Sequence, residues 1–233
     1  MILIFIAIIL LGIYIYFKFI KIDYSKRISK VWLNWSNRNP YDIYEKHNRI
    51  EETLNPDMDR FIVGSNEAEL YLDSELLKLY NSAPIPVMKS DILRLGIIYN
   101  RGGWYCDMDV KPLIPWKNFI KNYDVILFSE DDVKKHWPCP KENKTQKLRI
   151  HQDLFYAKAK DEFIKHIINT LKSRGREDGF LKTNSKCDIF YYTGPDMFTS
   201  AYHTYPKKER LYVYSENDQK NKLDYGKKGN YGL

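Results

Sequence analysis

The chain has 233 residues, of which 44% are hydrophobic, 15% aromatic and 29% charged, and its 37 Lys and Arg against 30 Asp and Glu give a formal charge of +7. This composition excludes an intrinsically disordered chain, because enough apolar surface is available to offset the entropy lost on ordering. The length predicts one globular domain. The charge excess is too small to indicate a nucleic-acid partner, which usually requires a dense basic stripe.

The apolar N-terminus predicts a membrane anchor. The first 17 residues, MILIFIAIILLGIYIYF, carry no charged side chain. A helix of this length spans about 26 Å, and about 33 Å if it continues to residue 22, which is enough to cross a bilayer. The segment lacks the basic n-region and the small-residue cleavage site of a signal peptide. We therefore predict an uncleaved transmembrane anchor over residues 1–22, a basic juxtamembrane segment over 23–27 and one folded domain over 28–233.

Two observations predict that this domain faces the cytosol. No Lys or Arg precedes the apolar run, whereas four follow it, at Lys18, Lys21, Lys26 and Arg27. By the positive-inside rule, the side that carries these charges is the cytosolic side. The three cysteines Cys106, Cys139 and Cys187 have no CxxC spacing and are odd in number. This pattern indicates neither a disulfide framework nor a zinc site, so we expect unpaired cysteines and a reducing compartment.

The folded domain alternates short β-rich runs with helical patterns. The predicted strands cover residues 28–35, 60–64, 104–110, 123–129, 151–159 and 210–215, and the predicted helices cover residues 43–54, 67–80, 88–102 and 161–174. This alternation predicts an α/β fold with a largely parallel sheet. Ligands of such sheets bind beyond the carboxyl ends of the strands, so we expect the chemistry there.

The most informative stretch covers residues 90–113 and reads SDILRLGIIYNRGGWYCDMDVKPL. It predicts a buried helix with Ser90 as N-cap, a stop at the Gly-Gly pair and then a strand. Asp107 and Asp109 are two residues apart on that strand, so their side chains are expected on one face. A divalent cation would offset their repulsion, and oxygen ligands favour Mg²⁺ or Mn²⁺ over zinc.

The preceding helix carries Asp91 and Arg94 one turn apart. The Gly-Gly pair folds this helix back beside the strand, so we expect both residues near the two aspartates. The alternative interpretation is a solvated pair of aspartates at a strand end and a separate helix salt bridge worth a few tenths of a kcal/mol. A bare surface pair is the less natural interpretation on a helix that is otherwise so apolar.

These residues resemble a known family. Ser-Asp-x-x-Arg, a hydrophobic helix, Gly-Gly-x-Tyr-x-Asp-x-Asp and Pro-Leu follow one another within residues 81–113. This order is similar to the DxD sugar transferases of glycosyltransferase family 32, which include the initiating fungal mannosyltransferases and have the glucosylating clostridial toxins as distant relatives. Weaker similarity extends to Trp35, which lies 20 residues before Asn55-Pro56-Asp57, and to the Thr-Gly-Pro turn at residues 193–195.

The resemblance implies a GT-A type fold, with a Rossmann-like, mostly parallel sheet flanked by helices. It also implies the transfer of a hexose from UDP-hexose or GDP-hexose to a glycan or protein acceptor, with retention of configuration and with Mn²⁺ or Mg²⁺ as cofactor. The metal ligands would be Asp109 and Asp107, and the catalytic residues would be these two together with Arg94. Residues that bind the donor would be Trp35, Asp91, Arg94, Gly103 and Asp107. The acceptor side would include Gln152, Asp153, Thr193 and Gly194.

The sequence departs from the family at two places. Trp32 and Leu33 stand where the family has an early His, and the His-Ser-Trp of the family's C-terminal tail is missing. In relatives that tail closes over the diphosphate. Residues of this chain that would replace the tail are Asn217, Asp218, Tyr225 or Asn230, and nothing in the sequence selects among them.

Two other functions are considered. A degenerate, membrane-anchored transferase would act as a binding or scaffold subunit. A phosphohydrolase of the haloacid dehalogenase type would use Asp107 as nucleophile and Asp109 as acid, with Asp131 or Asp132 as metal ligands. Golgi relatives of the family also place their catalytic domain in the lumen, so a lumenal orientation stays open beside the cytosolic one.

Overall fold

A computed structural model describes residues 23–33, 40–130, 139 and 148–225, together with Ile6. The predicted anchor therefore lies outside the described residues apart from Ile6. In the part of the chain that is described, no helix is both long enough and apolar enough to cross a membrane. Other predicted residues outside this part are Trp35, Asp131, Asp132 and Asn230.

The described residues form two sheets. The strands are β1 (Arg27–Trp32), β2 (Asp59–Gly64), β3 (Gly103–Cys106), β4 (Lys111–Pro112), β5 (Val125–Glu130), β6 (Arg149–Ile150), β7 (Leu154–Ala157), β8 (Leu211–Tyr214) and β9 (Leu223–Asp224). The α-helices are α1 (Pro40–Leu54), α2 (Ser74–Ser82), α3 (Pro86–Arg101), α4 (Glu162–Gly175), α5 (Lys186–Tyr192), α6 (Pro195–Thr204) and α7 (Glu216–Gln219).

The main sheet has the strand order β2-β1-β3-β7-β5-β6, and β8 pairs with β5. β1 is parallel to β2 and β3, and β8 is parallel to β5. β7 is antiparallel to both β3 and β5, so β3 and β5 run in the same direction. The prediction of an α/β fold with a mostly parallel sheet is thus confirmed, with β6 and β7 as the reversed strands. The small second sheet pairs β4 with β9.

Helix α3 and strand β3 are joined by a turn that only glycine accommodates easily. Gly102 and Gly103 have φ values of 65° and 99°, in the left-handed region. A Cβ atom on Gly103 would lie 2.7 Å from the Cβ and the carbonyl oxygen of Arg27. The predicted stop of the helix is therefore confirmed. Its predicted start is wrong, because the helix begins at Pro86, which suits a first turn, and Ser90 lies inside it.

Apolar cores cover both faces of the sheet. On β3, Tyr105 packs into the core formed with α2 to α6, whereas Trp104 and Cys106 point into the second core. In this second core the rings of Trp104 and Trp116 stack with centroids 5.1 Å apart. Because β3 is buried on both faces, its carboxyl end is held rigidly where it leaves the sheet.

The cysteine expectation is wrong. Cys139 and Cys187 form a disulfide bond with their Cα atoms 5.1 Å apart, although they are separated by 48 residues in the chain. Whether two cysteines pair depends on their approach in three dimensions, which the spacing along the chain does not report. Cys106 is a buried free thiol.

Candidate active site

The two aspartates of the DxD motif lie in a turn and not on a strand as predicted. β3 ends at Cys106, and the N–H of Val110 closes the turn onto the carbonyl oxygen of Asp107 at 3.2 Å. Burial still alternates through the turn, with Met108 and Val110 buried and Asp107 and Asp109 half-buried, which is why the pattern predicted a strand. The turn lies at the carboxyl edge of the parallel strands, where the fold class predicted the chemistry.

Arg94 connects this turn to two other parts of the chain. Its Nη2 lies 2.9 Å from Asp91 Oδ1 and 3.5 Å from Asp107 Oδ1. Its Nη1 donates to the carbonyl oxygen of Gln152 at 2.8 Å, and its guanidinium stands 4.8 Å from the ring centroid of Tyr105. Burial opposes the charge of Arg94, but the neighbouring Asp107, Tyr105 and Asp91 raise its pKa. The guanidinium therefore stays charged in a site where it is 3% exposed.

The Asp91 carboxylate contacts three donors, which are Arg94 on its own helix and two residues on other segments, Thr193 and Gln152. Thr193 Oγ1 donates to its Oδ2 at 2.7 Å, and Gln152 Nε2 donates to its Oδ1 at 3.1 Å. Burial raises the pKa of Asp91 to about 7, while Arg94 and these hydrogen bonds act in the opposite direction. Of the residues predicted on the acceptor side, Thr193 and Gln152 thus contact a residue predicted to bind the donor.

Other predicted site residues have different surroundings. Gly194 caps helix α6, and a Cβ there would lie 2.7 Å from the Cα of Phe190. Gly103 begins β3, at the end of that strand remote from Asp107, and its close approach to Arg27 explains the need for glycine. The structure therefore does not bring Gly103 to the group around Arg94.

Negative charge is concentrated at the turn. Burial, together with the charges of Asp107 and Asp153, raises the pKa of Asp109 to about 7. Burial likewise raises the pKa of Asp107, against the effect of Arg94. Burial also opposes ionisation of Asp153, but His151 and Arg94 lower its pKa. Carboxylates that resist joint ionisation in this way are stabilised by a bound cation.

The residues fit a divalent cation whose coordination is completed by phosphate oxygens of the substrate. Within the described ranges no group of three or more His, Cys, Asp and Glu is arranged to hold a metal ion by itself. Mg²⁺-like ions, however, are commonly held by one or two carboxylates together with substrate phosphates. Asp107 and Asp109 supply two carboxylates beside an excess of negative charge. They would hold such an ion together with diphosphate oxygens.

Two residues at the site were missed or left undecided by the sequence. His151 Nδ1 lies 3.2 Å from Asp153 Oδ1, yet this histidine was not among the residues predicted for the site. Its position directly before Gln152 and Asp153 was the available signal. Tyr225 stacks on the His151 ring, with centroids 4.6 Å apart. Of the tail residues considered, Asp218 instead lies in α7 and forms a capping box with Ser215.

The chain resembles glycosyltransferases in sequence. Residues 25–131 match the family described as "Glycosyltransferase sugar-binding region containing DXD motif". The initiation-specific alpha-1,6-mannosyltransferase of Candida albicans is 24% identical over 212 residues, which cover 78% of this chain and 54% of that protein. A putative glycosyltransferase of Saccharomyces cerevisiae is 25% identical over 194 residues, which cover 75% of this chain and 48% of that protein. This chain spans about half the length of these two relatives.

Solved structures share the fold. The PaToxG glycosyltransferase has a TM-score of 0.58 at 14% identity, over 79% of this chain and 70% of that chain. The UDP-bound glycosyltransferase domain of the YGT toxin has a TM-score of 0.58 at 10% identity, over 87% and 81% of the two chains. The catalytic domain of alpha-toxin from Clostridium novyi has a TM-score of 0.57 at 9% identity, over 86% and 78%. The resemblance to DxD transferases and the GT-A-like fold are thereby confirmed.

Proposed function

We propose that this protein, whose residues 25–131 match the family of glycosyltransferase sugar-binding regions that contain a DXD motif, transfers a hexose from a nucleotide-sugar donor to an acceptor. The observation that carries the proposal is the position of Arg94. Its guanidinium is buried and contacts Asp91, Asp107 and the backbone of Gln152 together. A surface salt bridge would not need burial or three partners, whereas a site for sugar hydroxyls needs fixed, charged hydrogen-bonding groups.

Each residue has a proposed part in the reaction. Asp109 and Asp107 hold a divalent cation, Mn²⁺ or Mg²⁺, which when bound supplies Lewis-acid stabilisation of the departing diphosphate. Asp91 and Arg94 bind hydroxyls of the donor sugar. Trp35, outside the described residues, would stack on the nucleobase, because a flat indole offers a platform for any base.

The acceptor side is proposed to lie at residues 151–153. Gln152 is already engaged by Arg94 and Asp91, so it fixes the geometry between donor and acceptor. Asp153 keeps a low pKa beside His151, and its carboxylate is therefore available to accept a hydrogen bond from an acceptor hydroxyl. Retention of configuration is part of the proposal, and NMR of the first-formed product anomer would test it.

The donor is proposed to be UDP-hexose or GDP-hexose. One neighbouring structure is a UDP-bound glycosyltransferase domain, and one relative is a mannosyltransferase. The phosphohydrolase is the less favoured alternative, because the family match and both sequence relatives are glycosyltransferases.

The experiment is a thermal-shift panel of UDP-glucose, UDP-galactose, UDP-N-acetylglucosamine and GDP-mannose, each with Mn²⁺ and with EDTA. A donor at 100 times its Kd stabilises the fold by about 2.7 kcal/mol. Release of UDP or GDP from the donor that binds would then measure turnover. Metal-dependent binding without turnover toward water or glycan acceptors would indicate the binding subunit, and hydrolysis of p-nitrophenyl phosphate alone would indicate the phosphohydrolase.

We also propose that residues 1–22 anchor the chain in a membrane, with the catalytic domain on the oxidising side. The basic residues after the apolar run favour the cytosol. The disulfide between Cys139 and Cys187 favours an oxidising compartment. The disulfide belongs to the folded domain itself, so it bears directly on the compartment in which that domain resides. Protease protection of a C-terminal tag on sealed microsomes tests this orientation, since a tag digested without detergent would place the domain in the cytosol.

A further inference from the structure

His151 lies where a strand of the sheet is interrupted. β6 and β7 both pair antiparallel with β5, and residues 151–153 separate them. The His151 side chain is 13% exposed, with Nδ1 3.2 Å from Asp153 Oδ1 and 3.6 Å from Glu130 Oε1. The imidazole is therefore the group that separates two carboxylates, one of which belongs to the proposed acceptor side.

Tyr225 covers the His151 ring. The ring planes are 6° apart and their centroids are 4.6 Å apart. The Tyr225 hydroxyl donates to Gln219 Oε1, and Gln219 Nε2 donates to the carbonyl oxygens of Ser129 at 2.8 Å and Tyr214 at 3.1 Å. The tyrosine is thus fixed to the carboxyl ends of β5 and β8, and the orientation of its ring does not depend on the stack alone.

The residues just before Tyr225 are attached to the other side of the site. Asp224 pairs with Lys111 across β4 and β9, and Lys111 Nζ lies 2.7 Å from Asp224 Oδ2. The N–H of Leu113 donates to the carbonyl oxygen of Lys222 at 2.8 Å. Strand β4 begins two residues after Asp109. The DxD turn therefore continues, through the small sheet, into the segment that carries Tyr225.

We propose that His151 and Tyr225 are a pair of positioning residues, whose stacked rings join the DxD turn to the carboxylate of Asp153 and so fix the distance between the metal side and the acceptor side. This inference rests on the proposed transferase function. Asp153 has two attachments to the turn in this scheme. Its backbone carbonyl oxygen accepts from the N–H of Asp107 at 2.8 Å, and its side chain is reached through His151, Tyr225 and β9.

The pair explains why an imidazole stands at residue 151. A hydrocarbon ring would preserve the stack but would leave Glu130 and Asp153 without their shared partner. A lysine side chain would preserve the charge but would offer no flat face to Tyr225. Histidine combines a planar face with an in-plane nitrogen, and Arg149, which contacts Glu130 at 3.0 Å, supplies the remaining positive charge nearby.

The test uses the full chain and four variants, His151→Phe, Tyr225→Phe, Tyr225→Leu and the double variant His151→Phe with Tyr225→Leu. Tyr123→Leu is the matched control, because the Tyr123 ring also contacts a second aromatic ring, that of Tyr212 on β8, with centroids 5.4 Å apart. Circular dichroism verifies folding. Hydrolysis of UDP-glucose and GDP-mannose with Mn²⁺ gives kcat and KM, and titration with UDP or GDP and Mn²⁺ gives nucleotide affinity.

We expect kcat to fall about tenfold in Tyr225→Leu and in His151→Phe, the scale of one well-oriented aromatic or ionic contact. Nucleotide affinity should stay within about twofold, and Tyr225→Phe, which keeps the stack, should retain most of the wild-type kcat. The kcat of the double variant should be no lower than that of the less active single variant. Equal losses in Tyr225→Phe and Tyr225→Leu, or additive losses in the double variant, would overturn the pairing.

Failure of this inference and failure of the proposed function give different results. If the wild-type chain neither binds nor hydrolyses any nucleotide sugar, the transferase function itself is wrong. If the wild-type chain is active and folded Tyr225→Leu and His151→Phe are equally active, only the positioning role is wrong.

Discussion

The backbone N–H of Asp107 donates a hydrogen bond to the carbonyl oxygen of Asp153 at 2.8 Å. This bond extends the antiparallel pairing of β3 and β7 by one residue beyond Cys106 and Leu154. The first aspartate of the DxD turn and the proposed acceptor carboxylate are therefore fixed by the same ladder. Arg94 adds a second connection, since it contacts both Asp107 and the residue before Asp153.

We predict that Arg94→Lys reduces turnover of the donor at least tenfold although the charge is kept. Arginine places two nitrogens in one plane, toward Gln152 on one side and toward Asp91 and Asp107 on the other, and a lysine ammonium cannot reproduce this fork. Metal-dependent release of UDP or GDP measures the effect. Arg101→Lys is the control, because Arg101 forms a more exposed ion pair with Asp59 at 3.3 Å. A small loss in Arg94→Lys would reduce Arg94 to a structural partner of Asp91.

The second prediction is that Asp109→Asn abolishes Mn²⁺-dependent turnover and raises the thermal stability of EDTA-treated protein at pH 8. The pKa of Asp109 in the folded protein, about 7, lies above the ~3.9 of an unfolded aspartate. Protonated Asp109 therefore favours the folded state, and this stability is present below about pH 4 and lost as the pH rises through 7. The amide is neutral at every pH, so the variant avoids that loss.

Melting curves at pH 5 and pH 8 check this sign. We expect the variant to melt a few degrees above the wild type at pH 8 and by a smaller margin at pH 5. Added Mn²⁺ with nucleotide should stabilise the wild type and not the variant. The exposed Asp178 provides the control substitution Asp178→Asn, which should change neither property. Full Mn²⁺-dependent activity in Asp109→Asn would remove this residue from the metal site.

The sequence predicted those features of the site that depend on residues close together in the chain. It failed for features that depend on contacts between segments far apart in the chain. The Gly-Gly stop and the proximity of Asp91 and Arg94 to Asp107 follow from a buried helix that turns straight into a strand. The placement of Asp109 on that strand was wrong, because the chain turns after Cys106, where the N–H of Val110 donates to the carbonyl oxygen of Asp107. The alternation of buried and half-buried residues continues through this turn, so the pattern did not reveal it.

Long-range contacts account for what the sequence did not predict. The hydrogen bond from Thr193 to Asp91 spans 102 residues, and the stack of Tyr225 on His151 joins two loops with no shared pattern. Helices α5 and α6 were also missed. Their segment is short and is broken by Gly194 and Pro195, so no long period is present.

Thr193→Val tests the support of Asp91 from the far side. Valine keeps the shape of threonine but removes the only hydroxyl donor that the side chain has, so Asp91 loses a hydrogen bond in a site where it is 1% exposed. We expect a destabilisation of about 1–3 kcal/mol in urea unfolding, together with weaker binding of UDP or GDP in the presence of Mn²⁺.

The matched control for this change is Thr183→Val. Thr183 is also buried, and its hydroxyl donates to the carbonyl oxygen of Phe180 within a local turn. The Thr183→Val variant should be less stable than the wild type but should bind UDP or GDP with unchanged affinity. Equal affinity in Thr193→Val and wild type would show that Asp91 does not need this donor to bind the nucleotide sugar.

The final prediction concerns the disulfide between Cys139 and Cys187. Thiol titration of the denatured, unreduced chain should find one free thiol, from Cys106, and reduction should raise the count to three. A cross-link between cysteines 48 residues apart raises the free energy of the unfolded chain by about 4 kcal/mol, because it lowers the conformational entropy of that chain. Cys187→Ser should therefore lower the midpoint of urea unfolding, and dithiothreitol should lower that of the wild type but not that of the variant. Cys106→Ala is the control, because it keeps the cross-link and its response to dithiothreitol. Three free thiols in the purified, unreduced chain would contradict the bond and restore the case for a cytosolic domain.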